Sequence, residues 1–220
     1  MPAFYGRREG ERVVIEGADA RHLARSLRVR PGQSIEVVDP DGWMLTVRLE
    51  SISERRIEGI VASEREHAPE PERYVVVAIA HLPSTALELV LSRCTEVGAS
   101  AFHIVQARRS VARGARTERW QTITREAAML AGRLRVPPVA GPSPLAEVVA
   151  ERPNPVMLVP GAPTPLAALP RSRALTLLIG PEGGWTDGEM EMVSAHAGLG
   201  PRNLRADTAA IVATAIAVES

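Results

Sequence analysis

The chain has 220 residues, 45% hydrophobic and 24% charged, which suits a globular protein with room for one large domain or two modest ones. No apolar run approaches the roughly 20 residues that span a bilayer. The opening stretch MPAFYGRREGERVV lacks the unbroken apolar core of an export signal, so the cytoplasm is the expected compartment.

The formal net charge is zero, but it is unevenly spread. Positions 1–30 hold seven Arg against four acids and positions 93–135 hold nine against three, whereas 31–92 hold five against eleven. All 26 basic residues are Arg. A guanidinium grips phosphate bidentately and stacks on bases, so two Arg-rich stretches suit an RNA partner. Genomic base composition is the competing explanation for the absence of Lys. The single Cys94 excludes an intramolecular disulfide and a cysteine-based zinc site, and reads as a small buried helix residue. His22, His67, His81, His103 and His196 show no metal-ligand spacing, so no metal is expected.

In chain order, residues 1–66 read as β-rich. Ser34 to Ser63 alternates apolar and polar residues, with the turn Asp39-Pro40-Asp41-Gly42 between two strand-like runs, as in a small barrel or sheet. HAPEPER, 67–73, carries two prolines and alternating charge and reads as a linker. From residue 74 to 220 strands alternate with helices, which predicts an α/β domain with a parallel sheet. YVVVAIAHL is a strand buried on both faces. A capping box of Thr85 and Glu88 opens a helix that ends at Gly98. AFHIVQA is a second strand. Thr117 caps a helix running to about Leu134, stopped by Pro137-Pro138. PVMLVP and ALTLLIG are further buried strands, followed by a helix capped by Thr186 with Glu189 and an alanine-rich helix from about Thr208 to Val218.

An open parallel sheet exposes its ligand crevice at the carboxyl ends of its strands. There ALTLLIG runs into PEGGW, where Gly180, Gly183 and Gly184 allow close approach to the main chain. The spacing is neither that of a dinucleotide fingerprint nor of a Walker loop, and alone it reads as a turn. A second loop, GLGPRNLRADTAA, joins a glycine turn to an arginine, an acid and a small-residue helix.

Together, GPEGGW and LGPRNLRADTAAI resemble the signature of the bacterial 16S ribosomal RNA uridine-N3 methyltransferases of the SPOUT superfamily. The resemblance extends to HLARSLRVRPGQ (22–33), to SRCTEVGA (92–99) with Thr95, Glu96 and Gly98, to RRSV (108–111) and to GRLRVP (132–137). It implies a small PUA-like β-barrel that binds RNA (1–66), followed by a methyltransferase domain (74–220) whose carboxyl-terminal segment is threaded as a trefoil knot. Such threading is outside what spacing predicts. The resemblance also implies S-adenosylmethionine as cofactor, ribosomal RNA or the small ribosomal subunit as partner, and a homodimer with the site at the interface. For the alanine-rich helix, packing within the chain is the alternative to packing between subunits.

Carried over by position, the cofactor lies among Leu158, Val159, Pro160 and Gly161; Ile179, Gly180, Pro181, Glu182 and Gly183; and Leu199, Gly200, Asn203 and Leu204. Their main-chain groups suit adenine and their apolar side chains the walls, and a bulky side chain at Gly180 or Gly200 is expected to block binding. Arg205 is the first catalytic candidate, as a stabiliser of a uracil anion, and Glu182 the second. Asp207 reads as a cap of the last helix ahead of a base, Glu182 alternatively as a brace of its own loop, and Arg205 alternatively as an ion-pair partner. Arg7, Arg25, Arg28, Arg109, Arg113 and Arg133 are the RNA-binding candidates, with Arg8, Arg30, Arg108 and Arg116 beside them. A solvated charged face is the alternative. Aromatic residues total 3%, so phosphate contacts and Arg stacking would dominate over aromatic stacking.

The chain departs from the family pattern at Ala3, at Ser84-Thr85 and at Met129-Leu130-Ala131, positions that bear on RNA contact and target-base handling. Three functions therefore stay open: methylation of uridine N3 in 16S ribosomal RNA, knotted methylation of another base or a ribose 2′-hydroxyl, and RNA binding without a working cofactor site.

Overall fold

The computed structural model describes residues 2–219, which divide into two compact units. The first takes residues up to Glu70 together with Ala128–Val136, and the second takes Pro71–Ala127 and the chain from Pro137 onward.

The first unit is a six-stranded sheet of β1 (Phe4–Tyr5), β2 (Arg7–Glu9), β3 (Arg12–Glu16), β4 (Ser34–Asp39), β5 (Trp43–Ile52) and β6 (Arg56–Glu66), in the order β1-β4-β5-β6-β3-β2. All pairings are antiparallel except β1 with β4. The edge strands β1 and β2 are separated in sequence by Gly6 alone, so the sheet must roll until its edges meet. A Cβ at Gly6 would lie 2.7 Å from Val13 and 2.8 Å from Val37, so glycine is required where the roll closes on its core. That core includes Phe4, Ile15, Leu23, Ile35, Leu45, Val47, Leu49 and Ile57. The predicted Asp39–Gly42 turn forms, with the Gly42 N–H donating to the Asp39 carbonyl and the Asp41 N–H to its carboxylate (3.0 and 3.1 Å).

The segment 67–73, expected as a linker, is tied down at His67, Glu70 and Arg73. The Glu70 carboxylate accepts the Leu134 and Arg135 N–H groups (2.9 and 3.3 Å) and pairs with Arg133. Arg73 is buried and donates to Ser172 and to the Ala217 carbonyl. Residues 128–136 join the rolled sheet although they fall within the range 74–220, because Met129 packs into its core and accepts the Ala3 N–H (3.0 Å).

The second unit is a wholly parallel sheet. Its strands are β7 (Tyr74–Ala80), β8 (Ala101–Gln106), β9 (Val139–Pro144), β10 (Pro155–Leu158), β11 (Ala174–Ile179) and β12 (His196–Ala197), in the order β12-β10-β11-β7-β8-β9. The helices are α1 (Gly17–Arg21), in the first unit, then α2 (Ser84–Val97), α3 (Thr117–Leu130), α4 (Leu145–Glu151), α5 (Asp187–Met190) and α6 (Ala206–Glu219). β7 and β11, buried and rich in Val, Leu and Ile, form the centre, as a two-faced parallel sheet requires.

Two predicted details differ, and two elements were not anticipated. The Thr85–Glu88 capping box does not form: α2 starts at Ser84 behind Pro83, and Glu88 instead pairs with Arg119 (2.8 Å). α3 ends at Leu130 rather than about Leu134. β9 and α4 were not anticipated, because VAGPSP carries two prolines. β9 tolerates them as the sheet's edge strand. In α6, Ala206, Ala210, Ala213, Thr214 and Ala217 are buried, and the helix packs on α2, β7 and β11 of its own chain. Cys94 of α2 is buried as expected, and burial raises its thiol to about 12 against an opposing hydrogen bond with Thr214.

Candidate active site at the carboxyl edge of the parallel sheet

β10, β11 and β12 are neighbours, so the loops that leave their carboxyl ends converge. The loop after β10 turns through a bond from the Ala162 N–H to the Val159 carbonyl (3.2 Å), and the loop after β12 is laced to it. The Gly198 N–H donates to Thr164, and the Leu166 N–H to Gly198 (2.9 and 3.0 Å). The loop after β11 closes on itself where the Gly184 N–H donates to Pro181 (2.8 Å).

These loops and the start of α6 enclose a cavity of about 430 Å³, within the ordinary range for a small-molecule site. Leu158, Val159, Pro160, Ile179, Gly180, Pro181, Glu182, Leu199, Gly200, Asn203 and Leu204 all line it, as does Arg205. Gly161 and Gly183 do not; the Gly183 carbonyl is instead turned to Arg109 (2.7 Å). Gly184, Trp185, Arg202, Ala206 and Ala209 also line it and fall within the two expected motifs without having been singled out as cofactor contacts, whereas Met190 and Ala197 lie outside them. Ala206 and Ala209 are three apart in the first turn of α6 and share one face, a spacing visible in the sequence. Met190 had no such pattern, because α5 is a single turn.

Trp185 forms part of the wall, only 7% exposed, and its indole N–H is buried without a hydrogen-bond partner among the described residues. An unmet buried donor costs about 1–3 kcal/mol, so a ligand acceptor beside it would be stabilising. A Cβ at Gly180 would stand 3.0 Å from that nitrogen, and Gly200 has φ +99°, which a side chain would strain. Arg205 is 78% exposed, its Nε 3.9 Å from Asp207. Asp207 lies in the first turn of α6 and accepts the Thr208 N–H (2.7 Å). Glu182 is exposed on the wall and has no hydrogen bond or ion pair among the described residues, so it does not brace its loop.

The capping box of α5 is present as predicted, with a further role. Glu189, 4% exposed, accepts the Thr186 N–H and hydroxyl on one oxygen (2.9 and 2.8 Å) and the Arg108 N–H on the other (2.8 Å). Burial pushes its carboxyl up, but these bonds and the Arg108 charge outweigh it and hold it below the usual carboxylate range.

Among the RNA-binding candidates, Arg133 is the clear correction. It is buried against Glu70, so its guanidinium faces no solvent. Arg7 and Arg25 are exposed but paired with Glu9 and Glu54 (2.6 and 2.5 Å). Arg28 is exposed, with φ +50°. Arg113 donates to the Ser110 and Ala112 carbonyls (2.6 and 3.0 Å), and Arg109 to those of Gly183 and Trp185 (2.7 and 3.3 Å). Of the departing positions, Ala3 and Met129 are buried in the first unit, where packing accounts for an apolar residue. Ser84 and Thr85 are exposed at the start of α2.

A parallel sheet with an apolar cavity at its carboxyl edge and arginine and carboxylate groups at the rim defines an α/β ligand-binding domain of the enzyme type. A family model described as an RNA methyltransferase domain matches residues 69–218, and one described as an RNA methyltransferase PUA domain matches 15–62. The chain is 34% identical to the ribosomal RNA small subunit methyltransferase E of Synechocystis, over 92% of this chain and 71% of that protein. It is 28% identical to the protein of the same name from Bacillus subtilis, over 93% and 89%. The crystal structure of a ribosomal RNA small subunit methyltransferase E from Neisseria gonorrhoeae, bound to S-adenosyl methionine, superposes with a TM-score of 0.86 at 29% identity, covering 98% of this chain and 95% of that one. The chain belongs to this family of S-adenosylmethionine-dependent ribosomal RNA methyltransferases.

Proposed function

We propose that the protein methylates N3 of a uridine in 16S ribosomal RNA of the small subunit, in the cytoplasm, with the cavity between the β10, β11 and β12 loops as its S-adenosylmethionine site. The observation that carries the cofactor assignment is the cavity itself, an apolar slot of nucleoside size, floored by strand ends, with a buried indole N–H in its wall that has no partner among the described residues, while the choice of uridine N3 rests on the resemblance of the two loop motifs. Leu158, Ile179, Leu199 and Leu204 supply apolar walls, the main chain of the glycine loop and the Trp185 indole supply polar contacts, and Arg202 suits a carboxylate. When bound, the cofactor supplies an activated methyl group.

The chain's own residues then have two tasks. They hold the uracil ring in line, which accounts for much of the acceleration in a reaction with a strong donor. They also manage the N3 proton: Glu182, a wall carboxylate with no partner among the described residues, is the proposed acceptor, and Arg205 the proposed balance for the negative charge that develops on the ring oxygens. The carboxyl-terminal segment is proposed to be threaded as a trefoil knot.

A homodimer completes the proposal. Leu89 of α2 and Val212 of α6 are exposed apolar residues on two helices that pack together, and sedimentation at micromolar concentration showing a strict monomer removes this element. The function is tested by mass spectrometry of 16S ribosomal RNA from a strain lacking the gene. The expected result is one uridine lighter by a methyl group, restored by the wild-type gene and not by the Gly180→Val variant. An unchanged methylation pattern overturns the assignment.

A further inference from the structure

The turn that follows β8 is fastened to the glycine loop at two places. The Arg108 N–H donates to the buried Glu189 carboxylate, whose other oxygen caps α5 immediately after the loop. The Arg109 Nη1 reaches both the Gly183 and the Trp185 carbonyls, and the aliphatic stem of Arg109 fills the space into which a Cβ on Gly183 would point, 3.4 Å away. Both carbonyls belong to the loop that carries the cavity wall, one of them to Trp185 itself. Beyond the turn, the same segment presents Val111, 76% exposed, with the exposed Arg113 and Arg116. None of Arg108, Arg109, Arg113 and Arg116 has a carboxylate ion pair among the described residues.

We infer that Arg109 is a positioning residue that links the arginine arm 107–116 to the glycine loop 180–185, so that RNA on the arm and cofactor in the cavity favour each other. The inference rests on the cavity as the cofactor site. Its physical basis is that one guanidinium holds two carbonyls of a loop that is otherwise closed by a single internal turn. An arm held still by phosphate contacts keeps that guanidinium in place, and the ordered loop then accepts the cofactor at lower entropic cost. Linkage makes the effect reciprocal: cofactor must tighten RNA binding by the same factor that RNA tightens cofactor binding.

The test is calorimetric titration with S-adenosylhomocysteine, which permits no turnover, with and without saturating 16S ribosomal RNA transcribed in vitro. The wild-type protein is expected to bind the ligand about tenfold more tightly with RNA present, within the usual range of coupling factors. Arg109→Ala is expected to weaken binding of the ligand alone and to abolish the gain from RNA, with little change in melting temperature. Arg109→Lys, which keeps a donor but not the fork, is expected to recover part of the gain. If Arg109→Ala keeps the full RNA-dependent gain, the inference fails. It fails equally if the variant loses RNA affinity alone, because Arg109 is then an ordinary phosphate contact. A wild-type protein that binds no ligand overturns the cavity assignment itself, whereas a wild-type protein whose ligand binding is blocked by Gly180→Val but indifferent to RNA overturns only the coupling.

Discussion

The arginines of the rolled sheet and those of the arm 107–116 differ in their surroundings. In the rolled sheet, Arg7, Arg8, Arg12 and Arg25 each face a glutamate, so much of the positive charge there is neutralised by neighbours. In the arm 107–116 of the parallel-sheet unit, Arg109 and Arg113 bond to carbonyls, and none of the four arginines has an ion pair among the described residues, although Glu189 and Glu88 feel the charges of Arg108 and Arg116. An arginine already paired with a glutamate brings that negative charge toward a phosphate as well. The count of arginines therefore overstates what the rolled sheet offers an RNA backbone and understates the arm.

The largest expected effect follows from that contrast. Replacing Arg108 and Arg116 by Ser should lower RNA affinity by about tenfold or more and reduce the slope of log affinity against log salt by about 1.4, the value for two single-strand phosphate contacts. Replacing Arg7 and Arg25 by Ser should change both quantities by less than half as much. Filter-binding titrations across a salt series decide it, and equal losses from the two pairs would break the comparison.

A smaller effect sharpens it through pH. The parallel-sheet unit buries His103, whose Nδ1 accepts from the Arg152 Nε–H (3.1 Å) and whose Nε2 meets the Ser143 hydroxyl (3.1 Å). Burial lowers its pKa, and the Arg152 charge adds to this against Glu151. His81, edge-on to Trp120, is lowered by burial and by Arg113 against a bond with Gln106. Both rings bind a proton more readily in the unfolded chain, so their stabilising contribution is intact above the free value of 6.5 and declines as pH falls through it toward the folded value. The melting temperature of this unit should drop by about 4 °C between pH 7 and pH 5. His103→Gln, which can still accept from Arg152 but does not titrate, should flatten that decline. Calorimetric scans at several pH values check this, and identical slopes for wild type and variant would exclude His103 as a source.

Much of the fold was legible because periodicity and punctuation are local. The apolar runs of β7 and β11, the Asp39–Gly42 turn and the Thr186–Glu189 capping box each follow from residues within a few positions of one another. β9 was hidden because prolines argue against a strand, and only its place at the sheet edge excuses them. Residues 128–136 were assigned by sequence continuity, whereas Met129 joins the rolled sheet through contacts with residues more than a hundred positions away. The same divide runs through the site. Pro181, Gly200 and Leu204 were found from two glycine-containing loops, and Trp185 stood in one of those loops without its buried indole being foreseeable.

By itself the sequence determined the division into a β-rich part and an α/β part, the family, and the two loops that meet at the cavity, because all of these are written in short contiguous patterns. Only the tertiary structure decided which arginines are free to act. Arg133 is buried by Glu70, Arg7 and Arg25 are neutralised by glutamates, and Arg109 is turned onto the carbonyls of the glycine loop. Charge along a chain is a property of residues, whereas the field a partner meets depends on which opposite charges and dipoles the fold brings within a few ångströms.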